Sequence, residues 1–159
     1  MDNRWDRKQQ HLDRIGELAR DSLNAAEAGP FLEFMTRFFA GVTPEDLLDR
    51  RPESLFALAL SLWRFAAARA PGTAKVQVFN PSLEETGWQD RHTVVEIVND
   101  DMPFLVDSVT AELARQGREI TMLVHPVMTV ERDVAGLRAP QGLGYVESYM
   151  YLEIDQQTS

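Results

Sequence analysis

The sequence contains no cysteine, which removes disulfides, thiolate nucleophiles and cysteine metal sites together. The absence fits a cytoplasmic protein. Basic residues are also scarce: sixteen Lys and Arg face twenty-five Asp and Glu, a formal net charge of −9. Nucleic-acid binders carry a basic footprint. No Lys/Arg cluster interleaved with aromatics occurs here, so nucleic acid is not an expected partner. Long apolar runs are missing too. The longest, Leu55 to Ala70, is broken by Ser61, Arg64 and Arg69. A spanning helix needs ~20 mostly apolar residues, so this run reads as a buried helix and no membrane is expected. The N-terminal MDNRWDRK lacks the apolar core of a secretory signal. The three histidines, His11, His92 and His125, are never three or four residues apart. A metal site would need carboxylates recruited from afar, and none is expected.

What is present is a helical half followed by a strand-rich half, with no internal repeat. Leu12, Ile15, Leu18, Ala19 and Leu23 recur at helical spacing and predict a first helix over about 8–28, ended by Gly29-Pro30. A second, 31–40, presents Phe31, Phe34, Met35, Phe38 and Phe39. This broad aromatic face suits helix packing better than a cofactor box. Thr43-Pro44-Glu45-Asp46 is a helix start: a capping hydroxyl, a first-turn proline and acids at the positive end. A further helix over about 52–70 carries Leu55, Leu58, Leu62, Phe65 and Ala66 in one stripe, and Pro71-Gly72 closes the region.

After residue 72 the period changes. Lys75–Phe79 is a short alternating strand, and Thr93–Val98 is the most β-like run. A helix with Leu105, Val106, Val109 and Leu113 on one face follows and stops at Gly117. Residues 120–131 read as one strand containing Pro126. Proline cannot donate to a ladder, so this strand belongs at an edge or carries a bulge. Residues 145–154 alternate cleanly. Tyr145, Tyr149 and Tyr151 share one face, a contact surface for another module or copy, opposite Val146, Met150 and Leu152. A strand–helix–strand crossover with a returning strand is half of a ferredoxin-like fold. The expected class is therefore α+β: a helical subdomain over 1–72, then an antiparallel ferredoxin-like sheet of four strands with one crossover helix over 73–155. Residues 156–159 form a tail. The abrupt end after Asp155 suggests a truncated chain.

No catalytic residues emerge. Gly142-Leu143-Gly144 precedes a strand, whereas a dinucleotide fingerprint follows a strand and opens a helix. Asp107-Ser108 has no paired histidine nearby, and no nucleophile–base pair is visible. One segment has two readings: Val98 to Leu105, where a strand turns directly into a helix. In the first, Asp101 caps the helix and Pro103 occupies its first turn. In the second, free N–H groups at the positive helix end hold a small anion such as an amino-acid carboxylate.

The run His92 to Val109 (HTVVEIVNDDMPFLVDSV) resembles the N-terminal region of the large, single-polypeptide NAD-specific glutamate dehydrogenases of bacteria. So do Gly87-Trp88, His125-Pro126-Val127, Arg132-Asp133, Glu147-Ser148 and Glu153-Ile154-Asp155. The resemblance covers about residues 75 to 155 and is loose in the helical half. It implies an ACT-like module that often binds amino acids and pairs with another copy. It also implies a far longer parent enzyme oxidising L-glutamate to 2-oxoglutarate and ammonia with NAD, its catalytic lysine and NAD-binding domain lying beyond Ser159. This region itself would carry no cofactor. In such modules the ligand site is the loop after the first strand, here Asn99, Asp100, Asp101, Met102, Pro103, Phe104 and Leu105. The chain departs from the pattern at Phe104, where ACT sites often have glycine. A side chain of that size is expected to fill the ligand's place.

The resulting expectation is a non-catalytic regulatory or oligomerisation region of an NAD-dependent glutamate dehydrogenase in the cytoplasm. Its partners would be the other domains of its own chain, another copy in a homo-oligomer, and an amino-acid effector. The alternatives are a purely structural interaction module and, third, a free-standing ferredoxin-like enzyme.

Overall fold

The computed structural model describes residues 3–157. Its described residues fall into two compact units, 3–63 with 82–89, and 64–81 with 90–157. The period of the sequence changes near residue 72, whereas the units part at 63, 81 and 89.

The first unit is helical. Helix α1 (Arg4–Ser22) starts at Asn3, whose side chain accepts from the Asp6 N–H at 3.2 Å. It ends well before Gly29-Pro30. The break falls at Leu23-Asn24, and Asn24 caps α2 (Ala25–Ala40) by accepting from the Glu27 N–H at 2.9 Å. The expected stop at Gly29-Pro30 is thus corrected: Pro30 lies inside α2. Asparagine offers a ready N-cap oxygen, and that local bond sets the boundary. Helix α3 (Pro44–Leu48) is capped by Thr43, as its sequence predicts. Helix α4 (Pro52–Phe65) is shorter than the apolar stripe suggested. Phe31, Phe34, Phe38, Phe39, Leu55, Leu58 and Leu62 are all fully buried, so the two apolar stripes form this unit's core.

The second unit is a five-stranded sheet with one helix. Its strands are β1 (Lys75–Phe79), β2 (Thr93–Asp100), β3 (Ile120–Val124), β4 (Val127–Arg132) and β5 (Leu143–Ile154). The order is β1-β2-β5-β3, and β4 also pairs with β5. Every pairing is antiparallel. Strand β5 is therefore inserted between β2 and β3, which helix α5 (Leu105–Arg115) connects. The fold class is α+β, as the alternation predicts, and β1 fills the edge beside β2.

The strand expected over 120–131 is corrected to two strands. His125-Pro126 interrupts it, and the Pro126 carbonyl accepts from the Tyr149 N–H at 3.0 Å. Proline sits where only an acceptor is required. The α5 side of the sheet is apolar: Val95, Ile97, Met150, Leu152 and Ile154 pack with Leu105, Val106, Val109 and Leu113. The helix stops as predicted at Gly117 (φ 75°), with Gly117 N–H on Ala114 and Arg118 N–H on Leu113.

The opposite face brings a second correction. Tyr149 and Tyr151 do not form an open contact surface with Tyr145. They are 1% and 0% exposed, and their hydroxyls donate to Glu147 (2.9 Å) and Glu153 (2.7 Å). Residues 147–154 are buried on both sides of the sheet, so strict alternation here separates two interiors rather than interior from solvent. Among the described residues, no helix is long and apolar enough to cross a membrane.

Candidate functional site

Strand β2 runs out at Asp100, and the chain crosses 101–104 before α5 begins. Asp101 does not cap the helix. Its N–H donates to the Val146 carbonyl (3.0 Å) and its carboxylate accepts from the Ser148 hydroxyl (2.8 Å), which ties it sideways to β5. The capping role read from the sequence is corrected: Phe104 occupies the N-cap position, and no side chain caps α5. Phe104 is left-handed (φ 64°, ψ 15°), a conformation that costs a residue with a Cβ roughly 1–2 kcal/mol. Phe104 is 76% exposed, so its ring is not packed into the interior. The backbone conformation is the one glycine takes freely, so Phe104 keeps the loop's shape without its usual residue.

The other loop residues divide by role. Asn99 accepts from the following Asp100 N–H at 2.9 Å, while Asp100 accepts from Arg69 at 2.6 Å. Met102 and Pro103 are exposed, and Leu105 turns into the α5 core. Beside the loop, the buried His125 Nε2 has no hydrogen-bond partner. Burial lowers the His125 pKa below its ordinary value, and the Asp101 carboxylate only partly offsets this.

Behind the loop lies a charged network that the sequence reading did not assemble. Arg132 uses all five of its N–H donors. Its Nε and Nη2 grip Glu147 (2.7 and 2.8 Å), Nη1 reaches the Gly136 and Ala67 carbonyls (2.8 and 3.3 Å), and Nη2 also reaches Ala66 (2.8 Å). Arg69 adds a bond to Glu147 at 2.8 Å and one to the Thr73 carbonyl at 2.7 Å. The side chains of Arg69, Arg132 and Glu147 are all 0% exposed. Burial alone would raise the Glu147 carboxyl, but Arg132 and Arg69 outweigh it and hold it below the usual range. Burial likewise works against the charge on Arg69, and Glu147 and Asp100 more than restore it. Burial and the Glu147 charge push the Tyr149 hydroxyl up. Partners 15 to 78 residues apart leave no local periodicity to find. The signal lay only in the quoted pairs Arg132-Asp133 and Glu147-Ser148.

A shallow hollow of about 300 Å³ next to Arg69 is lined by Ala68, Ala70, Thr73, Lys75 and Ala135. Its lysine is engaged, with Nζ donating to the Phe65 and Ala68 carbonyls. Gly142 leads into β5, which begins at Leu143, and a Cβ on Gly142 would collide with the Arg132 backbone, so glycine serves a close approach of chain to chain. The sequence offered no metal-ligand spacing, yet the fold brings Asp90, His92 and Glu153 together, with their ligand atoms within 4.8 Å of one another.

Comparison with known proteins closes the assignment. A family model described as glutamate dehydrogenase, ACT1 domain, matches residues 34–159. The NAD-specific glutamate dehydrogenase of Halomonas elongata is 36% identical over 155 residues, 93% of this chain and 10% of that protein. That of Pseudomonas aeruginosa is 39% identical over 130 residues, 77% of this chain and 8% of that protein. The chain thus spans no more than 10% of the length of these relatives. No solved structure matches it. With a model covering 34–159 and two relatives aligned across most of its length, the chain belongs to the ACT1 domain family of glutamate dehydrogenases.

Proposed function

We propose that this chain is the non-catalytic, amino-acid-responsive N-terminal module of an NAD-dependent glutamate dehydrogenase, working in the cytoplasm beside later domains of the same polypeptide. The enzyme it serves would convert L-glutamate, NAD and water to 2-oxoglutarate, ammonia and NADH. The observation that carries the responsive role is the uncapped start of α5 beside an outward-facing Phe104. A carboxylate placed there meets N–H donors and a partial positive charge of ~0.5. Asp101 and Asp107 supply negative charge within the same stretch, which favours a ligand that also carries an ammonium group. An amino acid meets both demands.

The ties from Asp101 to Val146 and Ser148 favour a second reading, a purely structural interaction module, because they stiffen the loop without any ligand. Calorimetry with glutamate, aspartate and other amino acids separates the two. A responsive module gains stability by mass action, about 2.7 kcal/mol at a hundred times Kd. Phe104→Gly is expected to change stability by less than about 1 kcal/mol, because relief of the left-handed strain offsets glycine's entropy in the unfolded chain. It should also bind at least as well as the parent. Binding by neither protein would leave the structural reading. Binding that survives changes at Asn99, Asp100 and Phe104 would place the site elsewhere.

The module alone is expected to form no NADH from glutamate and NAD. Turnover in contaminant-free protein would overturn the non-catalytic assignment.

A further inference from the structure

We propose that Asp90, His92 and Glu153 form a binding site for a single divalent transition-metal ion, at the corner where β2 begins and β5 ends. The inference is independent of the amino-acid reading. The three residues lie in the same compact unit. The β2–β5 register pairs Val94 with Glu153, which returns Glu153 to Asp90 and His92 from the far end of the unit's sequence. Their ligand atoms all lie within 4.8 Å of one another. Metal–ligand bonds of roughly 2.0–2.2 Å place ligand atoms about 3–4 Å apart, so a small adjustment of side chains completes the set, with the ion taking the place of the 2.7 Å Asp90–His92 Nδ1 contact where that nitrogen is the donor.

The donor chemistry is that of a metal site rather than of a solvated acidic surface. Imidazole suits zinc, nickel, iron and copper, while two carboxylates supply the opposing charge. Glu153 is fully buried, and the Tyr151 hydroxyl donates to its Oε2 at 2.7 Å, fixing its orientation as an outer-shell partner does. Asp90 holds the histidine in place: its Oδ1 accepts from the His92 N–H at 2.9 Å and lies 2.7 Å from the ring Nδ1. The Asp90 and His92 side chains keep 14% and 21% of their surface, so an ion from solvent can reach the corner. Three protein donors leave further positions for water. A bound ion would clip the start of β2 to the end of β5.

The test uses the tag-free chain. Cobalt(II) is titrated while its visible absorption is followed, with zinc calorimetry for stoichiometry. The expected result is one ion per chain, a rise in Tm with zinc, and at least a hundredfold loss of affinity in His92→Ala and in Asp90→Asn. Both variants change partly exposed residues, and circular dichroism checks that they fold. His11→Ala and His125→Ala should bind as the parent does. No uptake by the parent would overturn the proposal. So would equal affinity in His92→Ala, or a loss of binding that follows His125 instead.

Discussion

Glu147→Ala is expected to destabilise the sheet unit by about 3–5 kcal/mol, the usual cost of removing one partner from a buried ion pair. Glu147 is 0% exposed and accepts from Arg132 twice, Arg69 once and Tyr149 once. Truncating it strands two guanidiniums in the interior, and only their bonds to Asp100 and to backbone carbonyls remain. Tyr149→Phe removes one of the four bonds and should cost about 1 kcal/mol. Urea unfolding of the three proteins measures the differences. A Glu147→Ala unfolding free energy within about 1 kcal/mol of the parent would mean that the network is not what holds these segments. The same carboxyl gives a pH signature. Its folded pKa lies below the unfolded value of about 4.3. Its contribution is therefore complete above that pH and is lost as pH falls through the folded value. Glu147→Gln should flatten that part of the acid limb.

Phe34→Ala should be of similar size, about 3–5 kcal/mol, by a different mechanism. Phe34 is fully buried, with ring centroids 6.4 Å from Phe31, 5.8 Å from Phe38 and 5.4 Å from Trp63. Removing the ring leaves a cavity walled by stiff aromatic groups that cannot collapse into it. Phe34→Leu keeps most of the volume and should lose less than half as much. Chemical denaturation with matched slopes measures both. Equal losses for Ala and Leu would point to ring geometry rather than volume.

The parts of this fold that were legible in the sequence are those where one residue type repeats at one period. The Phe31–Phe39 face, the Leu55–Leu62 stripe, strands β1 and β2 and the α5 core face all follow from spacing alone. Boundaries set by a single side-chain bond were less legible. Asn24 starts α2 by capping, and this outweighed the Gly29-Pro30 signal. Burial on β5 misled because Tyr149 and Tyr151 look like surface residues until acceptors in the interior are known. The site was partly legible: the loop over 99–105 was located, but Asp101's role depends on Val146 and Ser148, more than forty residues away. The Arg132–Glu147 and Asp90–His92–Glu153 groupings depend on the antiparallel register, which no local pattern reveals.

Arg132 reaches back 65 and 66 residues to the Ala67 and Ala66 carbonyls, and Arg69 reaches forward 78 to Glu147. Contacts of such separation require long loops to close first. We expect them to form late, on the native side of the folding barrier. Interactions absent from the transition state leave the folding rate nearly unchanged and slow unfolding instead. On that expectation the network is a latch on lifetime: its loss should shorten how long the sheet unit stays closed once formed more than it slows closure.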